Sequence, residues 1–288
     1  MRTRAPLRLR QLVERPDVAI GHAFQRPPYG GSNQFLLALR GELRRRGLRV
    51  AANVISPRTR ACVLNAHVFD AEALRRMLHP GCRVVHRVDG PLGVYRGFDD
   101  GTDQRVAALN HEFADLTVVQ SRYSLETQRE LGFEFRDPVV IPNAVDPAIF
   151  FPPTEPRHPF AGRKIRLIST SWSDNPNKGA ATYKWLEEHL DWSRFDYTFV
   201  GRSAIGFERI ASVPPVASER VAELLREHDV FVFASLHESC SNALLEALAC
   251  GLPALYVTSG GNAEIAGDSG LAFSRAEELP ELLDRLVE

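Results

Sequence analysis

Short runs of apolar, β-branched residues alternate with helix-forming segments along most of this 288-residue chain. The strand-like runs are DVAIGHAF, ACVLNAHVF, CRVVHRVD, LTVVQS and PVVIPNAV in the first half, and KIRLISTSW, YTFVG, DVFVFAS and PALYV in the second. Runs rich in Val and Ile, without regular polar alternation, are typical of parallel strands buried on both faces. Their alternation with helices predicts an α/β protein built on parallel sheets.

The helical segments carry their apolar residues at helical spacing. In SNQFLLALRGELRRRG, the side chains of Phe35, Leu36, Leu39 and Leu43 share one face, and Gly47 is a suitable C-terminal residue. The second half contains the helical stretches KGAATYKWLEEHL, SERVAELLREH, SNALLEALAC and AEELPELLDRLV. These segments would cover the faces of the sheets.

A domain boundary is predicted near residue 150, where seven prolines fall between Pro138 and Pro159. The sign of the charge changes at the same place. Residues 1–150 hold 22 Arg and 16 acidic residues (+6), whereas residues 151–288 hold 13 basic and 20 acidic residues (−7), which sum to the net charge of −1. We therefore expect two tandem Rossmann-like domains, 1–150 and 151–288, with ligands in the cleft between them.

Several classes of protein are excluded by composition. No uncharged apolar run approaches the roughly 18 residues that span a bilayer, and the basic N-terminus lacks the apolar core of a signal peptide. The four cysteines form no CxxC pair, which favours reduced thiols in a cytoplasmic protein. No D-x-D triplet and no His/Cys cluster is present, so we expect neither a bound metal nor another cofactor.

The segment DVFVFASLHESCSNALLEALACGLP combines a strand, a loop with Glu238, and a helix that begins near Ser241 or Asn242 and carries Glu246. The N-terminus of a helix favours a phosphate, whereas carboxylates repel one and accept hydrogen bonds from hydroxyl groups. This combination suggests a nucleotide sugar. Taken in isolation, a pair of glutamates is more often one loop residue and one solvated helix residue.

The string ESCSNALLEALACGLP resembles the signature of the group 1 (family 4) retaining glycosyltransferases, which have the GT-B fold. Glu238 and Glu246 match the two glutamates of that signature. The resemblance implies that Glu238 contacts the hydroxyl groups of the donor sugar and that Glu246 contacts the ribose. It also implies a diphosphate site along the helix start, formed by Ser239, Cys240, Ser241 and Asn242.

Three further segments resemble the family in the expected order. RPPYGGSNQFLLALRGELRRRG is similar to the glycine loop that opens the first helix, which places Gly30 and Gly31 over the donor phosphates. VVIPNAVDPAIF is similar to the interdomain segment, and SGGNAEIAGDSGLAF to the loop after the last substrate-side strand. Together these matches cover residues 18–275.

Lys178 is one of only three lysines, and it precedes a glycine where a helix opens. The family places a Lys and an Arg there, which neutralise the leaving diphosphate in place of a metal. Lys178 matches that Lys. Ser171 or a neighbour stands at the Arg position, which is a departure from the family pattern, and Arg202 is a candidate for the missing charge.

A second departure lies in CRVVHRVDGPLGVYRG, because the family carries a His just after this strand and this chain has Asp89. As a catalytic residue beside Lys178 and Glu238, Asp89 would orient an acceptor hydroxyl, take its proton or stabilise an oxocarbenium ion. His86 either shares the face of Asp89 or is satisfied in the core. We expect His67 and His22 to be structural or supporting residues.

The first half is rich in arginine. Basic residues crowd the N-terminus and the polar face and exit of the first helix: Arg2, Arg4, Arg8, Arg10, Arg15, Arg40, Arg44, Arg45, Arg46 and Arg49. The aromatic residues or recognition helix that usually accompany the basic patch of a nucleic-acid-binding module are missing. Nucleic acid is therefore not an expected partner. The two remaining interpretations are a solvated face and peripheral binding to an anionic membrane at its cytoplasmic side.

The sequence therefore predicts a retaining, metal-independent glycosyltransferase of the hexosyltransferase type. It would transfer a sugar from an NDP-sugar to a glycan or lipid-linked acceptor, in the synthesis of cell-surface polysaccharide. Two alternatives stay open at this point: an isomerase similar to the NDP-sugar 2-epimerases, and a non-catalytic subunit that binds a sugar nucleotide.

Overall fold

The computed structural model describes residues 14–25, 30–155 and 162–287. Contacts divide the chain into two units. The first extends to Pro142, and the second begins at Asn143, with Gly30 and Gly31 assigned to the second unit. The division thus falls between residues 142 and 143, ahead of the position near 150 that the sequence predicts.

The first unit contains a six-stranded sheet in the order β2-β1-β3-β4-β5-β6, in which every neighbouring pair is parallel. Its elements are β1 (Val18–Gly21), α1 (Gly31–Arg45), β2 (Val50–Ala52), β3 (Ala61–Asn65), α2 (Ala71–Met77), β4 (Arg83–Val88), α3 (Leu92–Arg96), α4 (Thr102–Phe113), β5 (Leu116–Val119), α5 (Arg122–Glu130) and β6 (Pro138–Val140). As predicted, the apolar face of α1 packs on the sheet, where Leu36 lies against Ile20 and Val50.

The second unit contains another parallel sheet of six strands, in the order β12-β11-β10-β7-β8-β9. Its elements are β7 (Ile165–Ser171), a 3₁₀ turn (Pro176–Lys178), α6 (Ala180–His189), β8 (Phe195–Gly201), β9 (Ala211–Val213), α7 (Ser218–Glu227), β10 (Val230–Phe233), α8 (Asn242–Ala249), β11 (Ala254–Val257), α9 (Asn262–Ala266), β12 (Gly270–Phe273), a second 3₁₀ turn (Ala276–Glu278) and α10 (Leu279–Val287).

Strand β10 shows why the apolar runs become central strands. Its four residues are all buried, and they alternate between two core clusters. Val230 and Val232 pack in the cluster with Leu167, whereas Phe231 and Phe233 pack in the cluster with Ile168. Since successive side chains of a strand point to opposite faces, helices must cover both faces of this sheet.

A buried carboxylate ties α6 to the segment before β9. The two Glu187 oxygens accept hydrogen bonds from the backbone N–H groups of Glu208, Arg209 and Ile210 (2.7, 2.7 and 3.1 Å) and from Lys184 Nζ (2.8 Å). Burial alone would raise the pKa of Glu187, but these donors outweigh it and lower the pKa from 4.5 to about 2. The ionised carboxylate therefore stabilises this part of the second unit.

We predict that Glu187→Gln lowers the free energy of unfolding by about 2–3 kcal/mol at pH 7, because charge-assisted hydrogen bonds are replaced by weaker ones. Since folding lowers this pKa, the stabilisation is complete above pH 4.5 and is lost as the pH falls towards 2. Urea unfolding measures the effect: the difference in free energy of unfolding between wild type and variant should be smaller at pH 3.5 than at pH 7. Glu188→Gln, at an exposed neighbour, is the control; equal effects of both substitutions would contradict the assignment.

Candidate functional site

The sheet of the second unit reverses its winding between β7 and β10. These strands are hydrogen-bonded neighbours, yet the chain continues from β7 to β8 on one side and from β10 to β11 on the other. In open parallel sheets such a reversal leaves a crevice beyond the carboxyl ends of the two strands, where ligands bind. The loops that begin there carry Lys178 and Glu238.

The structure brings these two predicted residues together. Lys178 Nζ donates a hydrogen bond to Glu238 Oε1, and Ser235 Oγ donates to the same oxygen at 2.6 Å. The side chains are 22% and 14% exposed, so the pair is largely shielded but still reachable from solvent. Within the described part of the chain, no hydrogen bond reaches the second oxygen, Oε2, of Glu238, and this oxygen is available to a hydroxyl donor.

Backbone contacts fix the two loops against each other. The carbonyl of Asn177 accepts a hydrogen bond from Leu236 N (2.7 Å), and Ser235 Oγ lies 3.4 Å from the same oxygen. Gly179 has φ +81°, and a Cβ atom there would overlap the carbonyl of Ala234. Only glycine allows this close approach, which sets Lys178 beside the end of β10.

A third loop, after β11, holds the backbone around Glu238. Gly261 N donates to the Glu238 carbonyl at 2.7 Å, and His237 N donates to Ser259 Oγ at 3.0 Å. The fully buried Asn262 donates from Nδ2 to the carbonyls of Ser235 (3.0 Å) and Val257 (3.2 Å). This loop was expected at the site only because its sequence resembles that of the family. The supporting roles of Ser235 and Asn262 were not predicted.

Helix α8 begins directly after the loop with Glu238. Ser241 is the N-cap, and its side chain accepts a hydrogen bond from Leu244 N at 3.5 Å. Asn143 Nδ2 donates to the carbonyl of Cys240 (3.2 Å) and to Asn242 Oδ1 (3.0 Å), and Asn143 N donates to Cys240 Sγ. The predicted diphosphate segment is thus a fixed helix N-terminus, which favours an anion.

Glu246 lies one turn after Asn242, on the same side of α8. The residue is half-buried, and no hydrogen bond or ion pair reaches its carboxyl group from the residues that the structure describes. Burial raises the pKa of Glu246 to about 8. Hydrogen bonds from hydroxyl groups would stabilise the ionised form of such a carboxyl group, and a ribose supplies these hydroxyl groups.

The structure places the two other candidates for the diphosphate site at the ends of β7 and β8. Ser171 pairs in register with Gly201, and its hydroxyl donates to the carbonyl of Ser173 at 2.9 Å. The exposed Arg202 follows β8, and its guanidinium lies 5.0 Å from the ring centre of Trp172. Ser171 therefore supplies no charge, and the role of Arg202 stays a prediction.

In the first unit, polar side chains follow four adjacent strands: His22 after β1, Asn65 at the end of β3, Asp89 after β4 and Gln120 after β5. Asp89 Oδ1 accepts hydrogen bonds from Gln120 Nε2 (2.7 Å) and Arg87 Nη1 (3.0 Å), and Ser32 Oγ lies 3.3 Å from Oδ2. Burial acts to raise the pKa of Asp89, but Arg87 and the hydrogen bonds outweigh it and lower the pKa.

His86 belongs to the core. It is fully buried, its Nε2 lies 2.8 Å from the carbonyl of Ala66, and its Nδ1 lies 3.1 Å from Asn110 Nδ2. Of the predicted glycine loop, Gly30 has φ +51° with open space around it, and Gly31 begins α1. Residues 26–29 of that loop lie outside the described part of the chain.

Neither a metal cluster nor a membrane span is found in the ranges that the structure describes. In these ranges, no group of three or more His, Cys, Asp or Glu side chains is placed to hold a metal ion. None of the helices in those ranges is long and apolar enough to cross a bilayer.

Comparison with known proteins gives one family match and several similar structures. Residues 197–288 match the model of the family described as glycosyl transferases, group 1. A search of curated protein sequences finds no match to the chain. Sucrose-phosphate synthase from Thermosynechococcus elongatus is similar in structure, with a TM-score of 0.72 and 17% identity over 94% of this chain and 89% of that one.

The similar structures include complexes with nucleotides. Anabaena HepE in complex with UDP-glucose has a TM-score of 0.66 at 14% identity, over 94% of this chain and 89% of that one. The catalytic domain of starch synthase IV from Arabidopsis thaliana, bound to ADP and acarbose, has a TM-score of 0.69 at 11% identity, over 94% and 91%. The family match and these likenesses confirm the predicted resemblance to group 1 glycosyltransferases and the GT-B fold.

Proposed function

We propose that the chain is a metal-independent glycosyltransferase that binds an NDP-sugar in its second unit. The Lys178–Glu238 pair at the winding reversal carries the proposal, because it combines a cation for the diphosphate with a carboxylate for sugar hydroxyls. The family match over residues 197–288 supports it, since that segment includes Glu238 and Glu246.

Each group in the site then has a role. Lys178 and the first N–H groups of α8, beside Ser239, Cys240, Ser241 and Asn242, neutralise the leaving diphosphate, and Arg202 is the further candidate cation. Oε2 of Glu238 accepts hydrogen bonds from the donor sugar, and Glu246 accepts them from the ribose. Gly30 and Gly31 are the proposed backbone contacts to the phosphates.

The acceptor and the stereochemistry are part of the same proposal. We expect transfer of a hexose to a glycan or lipid-linked acceptor, with retention of the anomeric configuration, as the resemblance implies. Incubation with UDP-, GDP- and ADP-sugars, an acceptor panel and EDTA should yield a glycosylated product whose anomeric configuration NMR can assign. Donor binding without transfer to any acceptor would contradict this function and favour a non-catalytic binding subunit, whereas an isomerised sugar without acceptor would favour an isomerase.

We predict that Lys178→Ala weakens binding of the preferred NDP-sugar about 10- to 100-fold, because a charge-assisted contact to phosphate is lost and Glu238 is left to repel it. Isothermal titration calorimetry in EDTA measures the change. Lys164→Ala is the matched control, since Lys164 is an exposed lysine of the same unit that pairs with Asp196. Equal affinities of the two variants would refute the diphosphate role of Lys178.

We predict that the affinity for the NDP-sugar increases with pH between 6 and 8. Burial raises the pKa of Glu246 to about 8, so the carboxyl group is mostly protonated at pH 6. Ribose hydroxyls donate to the ionised form, so binding lowers this pKa and releases a proton. The affinity should rise by up to about tenfold per pH unit and level off above pH 8.

The pH dependence has two controls. It should disappear in Glu246→Gln and persist in Glu264→Gln, an exposed glutamate of α9. A 2′-deoxyribose donor should bind more weakly than the ribose donor to wild type and equally well to Glu246→Gln. An affinity that is independent of pH in wild type would rule out the contact with the ribose.

We propose that the chain binds an anionic membrane peripherally, through the arginines of its extreme N-terminus and not through those of α1. On and after α1, Arg45 and Arg46 pair with Glu42, and Arg49 pairs with Asp17. Arg44 donates to the carbonyl of Val50, and Arg40 lies over Phe24. The proposal therefore depends on Arg2, Arg4, Arg8 and Arg10, which lie outside the described residues.

We predict salt-sensitive co-sedimentation with vesicles that contain anionic lipid, weakened when Arg2, Arg4, Arg8 and Arg10 are changed to Ser. Changing Arg45, Arg46 and Arg49 to Ser should have the smaller effect, since those arginines already pair with acidic residues. Sedimentation that is unaffected by salt, or absent, would remove the membrane from the list of partners.

A further inference from the structure

We propose that His237 is a positioning residue for donor binding, and that it acts through its backbone conformation and not through its imidazole. His237 has φ +57°, in the left-handed region that residues other than glycine rarely adopt. It directly precedes Glu238, whose carboxylate pairs with Lys178. The inference rests on the proposed function, because it names the residue that sets the geometry of the contact between Glu238 and the sugar.

Four consecutive residues around His237 each make a hydrogen bond through the backbone to a neighbouring loop. These contacts join Ser235 O to Asn262 Nδ2 (3.0 Å), Leu236 N to Asn177 O (2.7 Å), His237 N to Ser259 Oγ (3.0 Å) and Glu238 O to Gly261 N (2.7 Å). One partner follows β7, and the other three follow β11. A strained backbone persists only where its surroundings fix it, and this loop is fixed at every residue.

The loop after β11 also restricts the path of the backbone at Glu238. Gly260 has φ +63°, and a Cβ atom there would lie 2.4 Å from the carbonyl oxygen of Glu238 and 2.7 Å from its nitrogen. The two backbones are thus in direct contact, which glycine permits because it has no side chain. The chain bends at His237, between the end of β10 and this contact. The strain is therefore located one residue before the carboxylate.

The bend sets the direction of the Glu238 side chain. Glu238 Oε1 accepts hydrogen bonds from Lys178 Nζ and from Ser235 Oγ, which lies three residues earlier in the chain. The contact with Ser235 joins the two sides of the bend, so it requires the conformation at His237 that brings them together. With His237 in an extended conformation, the chain after it would change direction, and we expect Glu238 to lose at least one of these two donors.

Tolerance of the left-handed conformation depends on the type of residue. Glycine adopts it freely, Asn and His adopt it more readily than most residues, and β-branched residues such as Val almost never do. A β-branched residue at position 237 would therefore favour relaxed conformations of the loop, in which Glu238 is displaced. The donor would bind only the fraction of molecules that keep the left-handed conformation, and its apparent affinity would fall by that fraction.

The test compares substitutions that differ in this tolerance. His237→Asn and His237→Gly remove the imidazole but allow the left-handed conformation, whereas His237→Val removes the imidazole and disfavours the conformation. Isothermal titration calorimetry with the preferred NDP-sugar gives the dissociation constant of each variant. Hydrogen–deuterium exchange of the donor-free chain, followed at the amides of Leu236 and Gly261, shows whether the loop keeps its contacts.

His237→Val should weaken donor binding about tenfold and accelerate the exchange of both amides to a similar extent. His237→Asn and His237→Gly should stay within about twofold of wild type in both measurements. Asp137→Val is the control for strain elsewhere, since Asp137 is an exposed residue of the first unit with φ +42°. This control should lower the free energy of unfolding and leave donor affinity unchanged.

Two results would overturn the proposal. Equal losses of affinity in all three variants of His237 would assign the effect to the imidazole, and wild-type affinity in His237→Val would show that the conformation does not matter for the donor. If wild type binds no NDP-sugar, the proposed function fails; unchanged amide exchange in donor-free His237→Val would refute the role of His237 independently. If His237→Val does not fold, His237→Ala replaces it, with a smaller loss expected in the same direction.

Discussion

The ion pair between Lys178 and Glu238 joins the two loops that leave neighbouring strands at the reversal of winding in the second sheet. Both charges are largely removed from water, and such a pair persists only where further hydrogen bonds satisfy it. Ser235 supplies one of these to the shared oxygen, and Asn177, Gly261 and Asn262 hold the backbone on either side. The local structure of three loops therefore depends on this contact.

Each unit has a carboxylate beyond the carboxyl ends of its strands, and the two carboxylates are held by the same kind of hydrogen bonds. In each, a basic residue and a polar neighbour donate to one oxygen: Lys178 and Ser235 to Glu238, and Arg87 and Gln120 to Asp89. Among the residues that the structure describes, the other oxygen has no partner in Glu238 and one long contact in Asp89. Oriented carboxylates of this kind suit hydroxyl-rich ligands, because they need no rearrangement to accept a hydrogen bond.

Local patterns were sufficient to predict the central elements. The apolar runs became β1, β3, β4, β5, β6, β7, β8, β10 and β11, and the five helical stretches formed helices. The strands that the sequence did not predict are at or near the sheet edges. β2 and β9 have three residues each, and β12 begins with Gly270, where a Cβ would overlap the carbonyl of Ala254. Glycine is unfavourable in strands, so the close packing that requires it also hides the strand from sequence patterns.

The sequence predicted which residues carry the chemistry of the candidate site, but not which residues hold them in place. Lys178, Glu238, Glu246 and Asp89 were identified from their positions after strands or on a helix together with the resemblance to the family, but the partners of these residues are distant in sequence. Lys178 and Glu238 are 60 positions apart, and Gln120 and Asp89 are 31 apart. No periodicity encodes such contacts, since they arise only when the parallel strands align. Glu246 shows the same limit, because its raised pKa depends on burial that the folded chain creates.

Hydrogen–deuterium exchange tests the central claim most directly, because it maps donor binding on the full chain without assuming an acceptor. Adding the preferred NDP-sugar should slow amide exchange in the loop after β7, in the segment from Ser235 to Asn242 and in the loop after β11. The outer strand β9 should exchange at an unchanged rate. Saturable binding without protection of these three loops would contradict the account, since the donor would then lie away from the Lys178–Glu238 pair.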